Sequence, residues 1–265
     1  MALFDEVFNR LRIVDMLFFS VKAVLIHPTL DDLEEKNPEL FKRWKHLSKT
    51  KYDCEIFNGN VFGDDEVEIY EEKAIYYPEF TRIVAITYAF VQIVNGLPKR
   101  YIKKIVSENE YVVIATFMEV LHQLSSEAVQ STPPAFPMLC GHNVINYDIP
   151  LLIKRYICHR SRFLAEEQLL PLLLKRALNA KPWESTVIDT VSVWKFNGND
   201  YTPLMLIADH LGLKKTVDLE TLSDVSKQYW KTVADSPEKA LDEVALQSTT
   251  QTNLVSQLIN ELRLI

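Results

Sequence analysis

Two long apolar runs dominate the hydropathy pattern. Arg12 to Ile26, RIVDMLFFSVKAVLI, is apolar at nearly every position, the pattern of a central strand covered on both faces. Ser20 and Lys22 interrupt the run two residues apart, so they share one face. A lysine inside such a strand needs a partner or a route to water. Arg82 to Val94, RIVAITYAFVQIV, is the second strong strand. Asn95-Gly96 supplies a hairpin turn, and Arg100 to Val106 returns antiparallel to it. Between the first two strands the chain turns polar, from Pro28 to Lys51. Leu40, Phe41, Trp44 and Leu47 keep helical spacing and predict a short helix over Pro38 to Leu47. Thr50 to Glu68, with Gly59, Gly63 and the acidic run Asp64-Asp65-Glu66, predicts an irregular or hairpin insertion.

Beyond the hairpin, Asn109 is placed to cap a helix running to about Leu124. Ser125 to Phe136 reads as a loop. Pro137 to Cys140 is a short apolar strand ending at Gly141, and a helix begins near Tyr147. Asp148 then lies in the first helical turn, where the helix dipole favours a carboxylate and Pro150 is tolerated. Leu164 to Leu178 reads as a helix kinked at Pro171, and Val187 to Trp194 as a strand carrying Asp189. Pro203 to Leu211, Leu219 to Tyr229 and Pro237 to Arg263 are predicted helices, the last capped by Asp235 or Ser236. On that helix Leu241, Val244, Ala245, Ser248, Thr252, Val255 and Leu262 fall on one face, so Ser248 points inward. Three hairpin-linked strands followed by alternating helices and strands make a mixed-sheet α/β domain.

Composition narrows the function classes. The chain has 265 residues, 48% hydrophobic and 25% charged, as an ordinary globular protein does. Six glycines and the absence of G-x-x-x-x-G-K or G-x-G-x-x-G argue against a glycine-rich phosphate loop. No apolar run is long enough to span a bilayer, and MALFDEVFNRLR lacks a signal-peptide core. Cys54, Cys140 and Cys158 are widely spaced, which argues against disulfides or zinc and for a reducing cytoplasm. A net charge of −7 disfavours polyanion binding by the whole surface. Two local basic clusters stand out: Lys154, Arg155, His159, Arg160 and Arg162, and Lys99, Arg100, Lys103 and Lys104.

The stretch Leu139 to Tyr156, LCGHNVINYDIPLLIKRY, has a buried strand, G-H-N, an aromatic-Asp pair and an apolar helix. It resembles the second motif of DEDD-type 3′–5′ exonucleases. These are ribonuclease H-like nucleases that include polymerase proofreading domains. The chain is most similar to a bacterial group of predicted 3′–5′ exonucleases related to the proofreading domain of family-B DNA polymerases. Tyr77-Pro78-Glu79-Phe80 leading into Arg82-Ile83-Val84 resembles that group's entry to the second strand. Asp189-Thr190 with Trp194-Lys195-Phe196, and Leu206 to Leu213, resemble its later segments. The resemblance implies a ribonuclease H-like mixed sheet flanked by helices, with a helical C-terminal region. It implies a single domain over residues 1–265, with an insertion at about 28–75. In the family four carboxylates hold two catalytic magnesium ions roughly 3.5–4 Å apart.

The departures decide the expected activity. Leu17 to Val24, LFFSVKAV, takes the place of a strand reading approximately L-F-x-D-I-E-T-V, so Ser20 stands for the aspartate and Lys22 for the glutamate. In DEVALQSTTQT, Ser248 stands for the final aspartate and Val244 for the preceding Tyr or His. Asp148 alone remains. A lysine about 4 Å from a metal would be repelled by several kcal/mol, and serine hydroxyls replace carboxylates poorly on magnesium. The expectation is an exonuclease-like protein without catalysis and without a cofactor. It would bind single-stranded DNA or RNA, or a protein partner, through the inherited cleft, and no membrane. His142, Asn143, Lys154, Arg155 and Arg160 are the candidate nucleic-acid contacts. Lys22 and Asp148 are expected to pair with each other. One alternative is an active exonuclease using Mg2+ or Mn2+ on other ligands, with Asp64-Asp65-Glu66, Asp189, Asp242 and Glu243 as candidates. Another is a protein-interaction module with no nucleic-acid role.

Overall fold

The computed structural model describes residues 12–56, 63–131, 135–164, 169–179, 186–196, 198 and 201–262. Among these, the protein is an α/β structure built on a five-stranded mixed sheet of order β3-β2-β1-β4-β5. The strands are β1 (Met16–Leu25), β2 (Thr81–Val94), β3 (Leu97–Val106), β4 (Met138–Gly141) and β5 (Val187–Asp189). β1 to β3 pair antiparallel, whereas β4 joins β1 and β5 joins β4 in parallel. The apolar run is the central strand, and all ten of its residues are buried. It is shorter than the run itself, because Ile13–Asp15 forms a 3-10 turn before it.

The two sheet faces are covered differently. Leu17, Phe19, Val21 and Ala23 pack with helices α4 (Glu110–Gln130) and α5 (Ile149–His159). Phe18 and Val24, on the opposite face, pack against the C-terminal helices. These are α8 (Leu204–Leu211), α9 (Leu222–Val233) and α10 (Pro237–Leu262). The helical phasing of the last segment holds: Val244, Ala245, Ser248, Thr252, Val255 and Leu262 are all buried.

The 28–75 segment is helical, with α1 (Leu30–Lys36), α2 (Pro38–Tyr52) and α3 (Asp64–Lys73). Its small core centres on Trp44, which meets Tyr70 and Phe80 edge-on at 5.4 and 5.2 Å. Thr29 and Asn37 cap the first two helices through Asp32 and Leu40 N–H. The irregular or hairpin reading of Thr50 to Glu68 holds as irregular chain at 53–56 and is corrected at its two ends, which are helical; residues 57–62 lie outside the described set. Helix α3 opens at Asp64, and Glu66 in its first turn accepts the Gly63 N–H at 2.6 Å. That is a helix start rather than a metal-binding strand.

Three further boundaries differ from expectation. Helix α4 runs six residues past Leu124. Ser125 is absorbed there by donating to the Leu121 carbonyl and accepting the Leu173 N–H. Residues 132–134 of the expected loop lie outside the described set. Pro171 does not kink a helix; α6 (Leu172–Asn179) starts after it, and residues 165–168 of the expected helix are likewise outside. The strand expected to Trp194 stops at Asp189, whose carboxylate accepts the Val191 N–H and starts the short helix α7 (Thr190–Trp194).

Candidate functional site: a cleft at the end of the central strands

Gly141 ends β4 where a Cβ would meet the Phe19 carbonyl oxygen and the Val144 side chain, both at 3.0 Å. Asn143 follows in the left-handed region at φ 60°, and Val144–Asp148 forms one π turn leading into α5. Asp189 fixes this turn by accepting the N–H groups of Asn143 at 2.9 Å and Ile145 at 3.0 Å. With the Val191 bond its carboxylate makes three backbone bonds. Burial still lifts its pKa above the ordinary carboxylate value against these bonds. Asp189 is thus the residue that shapes the G-H-N turn. His142 also holds it, with Nδ1 2.9 Å from the Thr190 hydroxyl.

The turn delivers Asp148, 2% exposed, against β1, where its Oδ1 accepts the Val21 N–H at 3.3 Å. Across the strand, α10 brings Ser248, whose hydroxyl donates to the Ser20 carbonyl at 3.1 Å. One helical turn on, Gln251 Oε1 accepts from the Lys22 ammonium at 2.6 Å. Ser20, Lys22, Asp148 and Ser248, selected from three separate stretches of sequence, are therefore gathered around the middle of β1. Lys22, Asp148, His142, Asn143 and Gln251 line a cleft of about 330 Å³, together with Tyr76, Tyr147, Tyr201 and several residues of α8 and the segment before α9. Tyr76 and Tyr201 stand half-exposed at the cleft.

The expected direct pair of Lys22 with Asp148 is corrected. No contact within 4.0 Å joins them, and the ammonium's hydrogen-bond partner is the neutral Gln251 amide. The two groups are coupled through the field only. Burial drives Lys22 down to about 8 while Asp148 opposes the shift. Burial likewise drives Asp148 up to about 7, with Lys22 and the Val21 N–H opposing and Asp189 adding to the rise. His142 is pushed down to about 4 by burial and by Lys22, so its imidazole is neutral at physiological pH. Gln251 was missed in the sequence because an amide carries no ligand signature. Its signal was positional, three residues after Ser248 on the same helical face.

The donor set does not suit two dications. Among the described residues no group of three or more His, Cys, Asp or Glu is disposed to hold a metal. The cleft is lined by the buried Asp148, the exposed Glu220, one ammonium and His142, while the Ser20 hydroxyl lies outside its lining, buried and with no hydrogen-bond partner among the described residues. Asp242 and Glu243 do not replace Ser248: Asp242 is exposed and Glu243 is turned to the Thr232 hydroxyl and Lys239.

The basic candidates divide. Arg155 is not a free nucleic-acid contact. Its guanidinium bonds both Glu110 oxygens, at 2.8 and 2.5 Å, and the Pro78 carbonyl. His159 Nε2 lies 2.8 Å from the same carboxylate, and Glu110 Oε1 also accepts the Ile83 N–H at 2.7 Å. Ile83 sits beside a β-bulge: the pairing of β1 with β2 shifts between Lys22 and Ala23, leaving Val84 as the extra residue. Glu110 and Ser107, which donates to the Val84 carbonyl, satisfy the groups the bulge leaves out of the ladder. Arg162 covers the Tyr111 ring at 4.0 Å. Lys154 and Arg160 remain exposed. Lys99, Arg100, Lys103 and Lys104 lie on β3, the sheet's edge.

No family model matches the chain, nor does any curated protein or solved structure.

Proposed function

We propose that this protein is a catalytically silent 3′–5′ exonuclease-like protein of the ribonuclease H-like fold, which holds the end of a single-stranded nucleic acid in the cleft. One observation carries the proposal. The positions that the resemblance singles out in β1, in the turn before α5 and in α10 meet around the middle of β1, Asp148 on the Val21 N–H and Ser248 on the Ser20 carbonyl, and Lys22 and Asp148 line the cleft beside them. The element order also fits, with antiparallel strands first and parallel strands entered through helices afterwards.

The chemistry of the cleft favours retention over hydrolysis. The two-metal step needs dications to activate water and stabilise the leaving oxygen. Here Lys22 supplies a fixed cation of the chain's own, able to meet a phosphate oxygen but not to ionise water. Tyr76 and Tyr201 offer faces on which unpaired bases stack. Lys154 and Arg160 stand along the axis of α5, about 9 and 18 Å beyond Asp148, in range of phosphates further along a strand.

The test is a 3′-labelled oligodeoxythymidylate incubated with the protein and Mg2+ or Mn2+. The strand binds, weakens as salt is raised, and is not shortened. Tyr201→Ala and Tyr76→Ala, changes at half-exposed positions, each weaken binding about tenfold through lost stacking. Shortening of the strand would establish a working nuclease with other ligands. Absence of binding at low salt would leave a protein-interaction module.

A further inference from the structure

We infer that the outer edge of β3 takes an acidic, extended peptide segment of a partner protein as a sixth strand. β3 is ten residues long and pairs with β2 along its entire length, while its other side forms the edge of the sheet. Beyond Pro98, which has no N–H to offer, the edge presents alternating N–H and C=O groups that pair with nothing among the described residues, the template for strand addition. Residues 92–100, the distal half of the β2–β3 hairpin, are all exposed. Ile93 and Leu97 at the tip are 58% and 71% exposed.

Charge selects the occupant. Lys99, Arg100, Lys103 and Lys104 lie within six residues of this strand, in a chain whose net charge is −7. None of the four forms an ion pair among the described residues. Lys99 rests over the Tyr101 ring at 5.2 Å, and Arg100 donates to the Ser256 hydroxyl at 2.5 Å. A second copy of the chain is the wrong partner, because edge-to-edge pairing would bring two such clusters together. A phosphate backbone is also a poor match. It offers acceptors for the edge N–H groups but no donors for the edge carbonyls. A peptide strand satisfies both, and carboxylates opposite the four cations complete the match.

Register makes the preference specific. The cations form two adjacent pairs separated by Tyr101 and Ile102. A complementary strand therefore reads acidic-acidic-apolar-apolar-acidic-acidic, the same in either direction, with a further apolar residue toward Leu97. This inference does not rest on the cleft, and its test leaves the cleft intact.

The probe is a fluorescein-labelled peptide containing Glu-Glu-Val-Val-Glu-Glu, read by anisotropy against the full chain. The peptide binds, and Lys103→Glu with Lys104→Glu, both exposed, weakens it at least about tenfold, one decade in Kd. The same peptide N-methylated at alternate residues keeps its charge but loses the donors on one edge. Of the two N-methylation registers, the one that blocks the edge facing β3 weakens binding by about tenfold or more and the other does not. Equal binding of the parent and both N-methylated peptides would overturn strand addition and leave only charge attraction. Displacement of the peptide by an oligodeoxythymidylate of equal charge, at equal or lower concentration, would assign the surface to nucleic acid instead. No binding of the peptide at millimolar concentration would also overturn the inference.

Discussion

Lys22 is the residue on which the behaviour of the cleft turns. Its folded pKa of about 8 lies below the ordinary 10.5. The unfolded chain therefore binds more protons between those values, and stability rises with pH across that window. Asp148 acts in the opposite sense: at about 7 against an ordinary 3.8, the folded chain binds more protons, and stability falls as pH rises through that range. His142, at about 4 against 6.5, contributes stability that rises with pH over its own window and offsets much of the Asp148 slope. The three groups together place a stability minimum near pH 7–8, with recovery on the alkaline side. Lys22→Met removes the alkaline limb. Near pH 7.5 the variant is more stable than wild type by about 1–3 kcal/mol, because a buried ammonium is replaced by an apolar chain and Asp148 becomes neutral. The gap closes as pH approaches 10.5. Urea midpoints across this range check it, and a gap independent of pH would show that burial does not penalise the ammonium.

At the scale of elements, Glu110 ties three of them together. It bonds the Ile83 N–H on β2 and Arg155 and His159 on α5 from its place at the start of α4. Glu110→Ala leaves the mostly buried Arg155 unpaired and the Ile83 N–H without its acceptor. It should destabilise the fold by about 3–5 kcal/mol in urea unfolding. A loss under about 1 kcal/mol would mean that water replaces the carboxylate there. The sequence carried no signal for this role, since Glu110 reads as an ordinary first-turn helix residue after the Asn109 cap. Elements with long-range apolar periodicity, β1, β2 and α10, were legible because burial of whole faces dictates them. The short ones were not. Val187 to Trp194 is rich in β-branched residues, yet Asp189 caps Val191 and ends the strand after three residues. A local side-chain bond there overrode propensity. The position of Ser248 was legible from phasing. The partner of Lys22 was not, because charge points to Asp148 whereas geometry gives the ammonium to Gln251.

For the whole molecule, the five-stranded sheet sets β1 between a helical layer carrying Asp148 and another carrying Ser248 and Gln251. Lys22 lines the cleft with Asp148 and Gln251, and Ser248 holds the strand behind it through the Ser20 carbonyl. On the proposed reading, the Lys22 ammonium stands beside Asp148 in place of the dications that a nuclease of this kind would hold. Calorimetric titration with Mn2+ tests it most directly, on wild type and on the combined variant Ser20→Asp, Lys22→Glu, Ser248→Asp. We expect no stoichiometric binding to wild type at millimolar Mn2+ and measurable binding to the variant, whose carboxylates would join Asp148. Two ions bound per wild-type chain, or a folded variant that binds none, would contradict it.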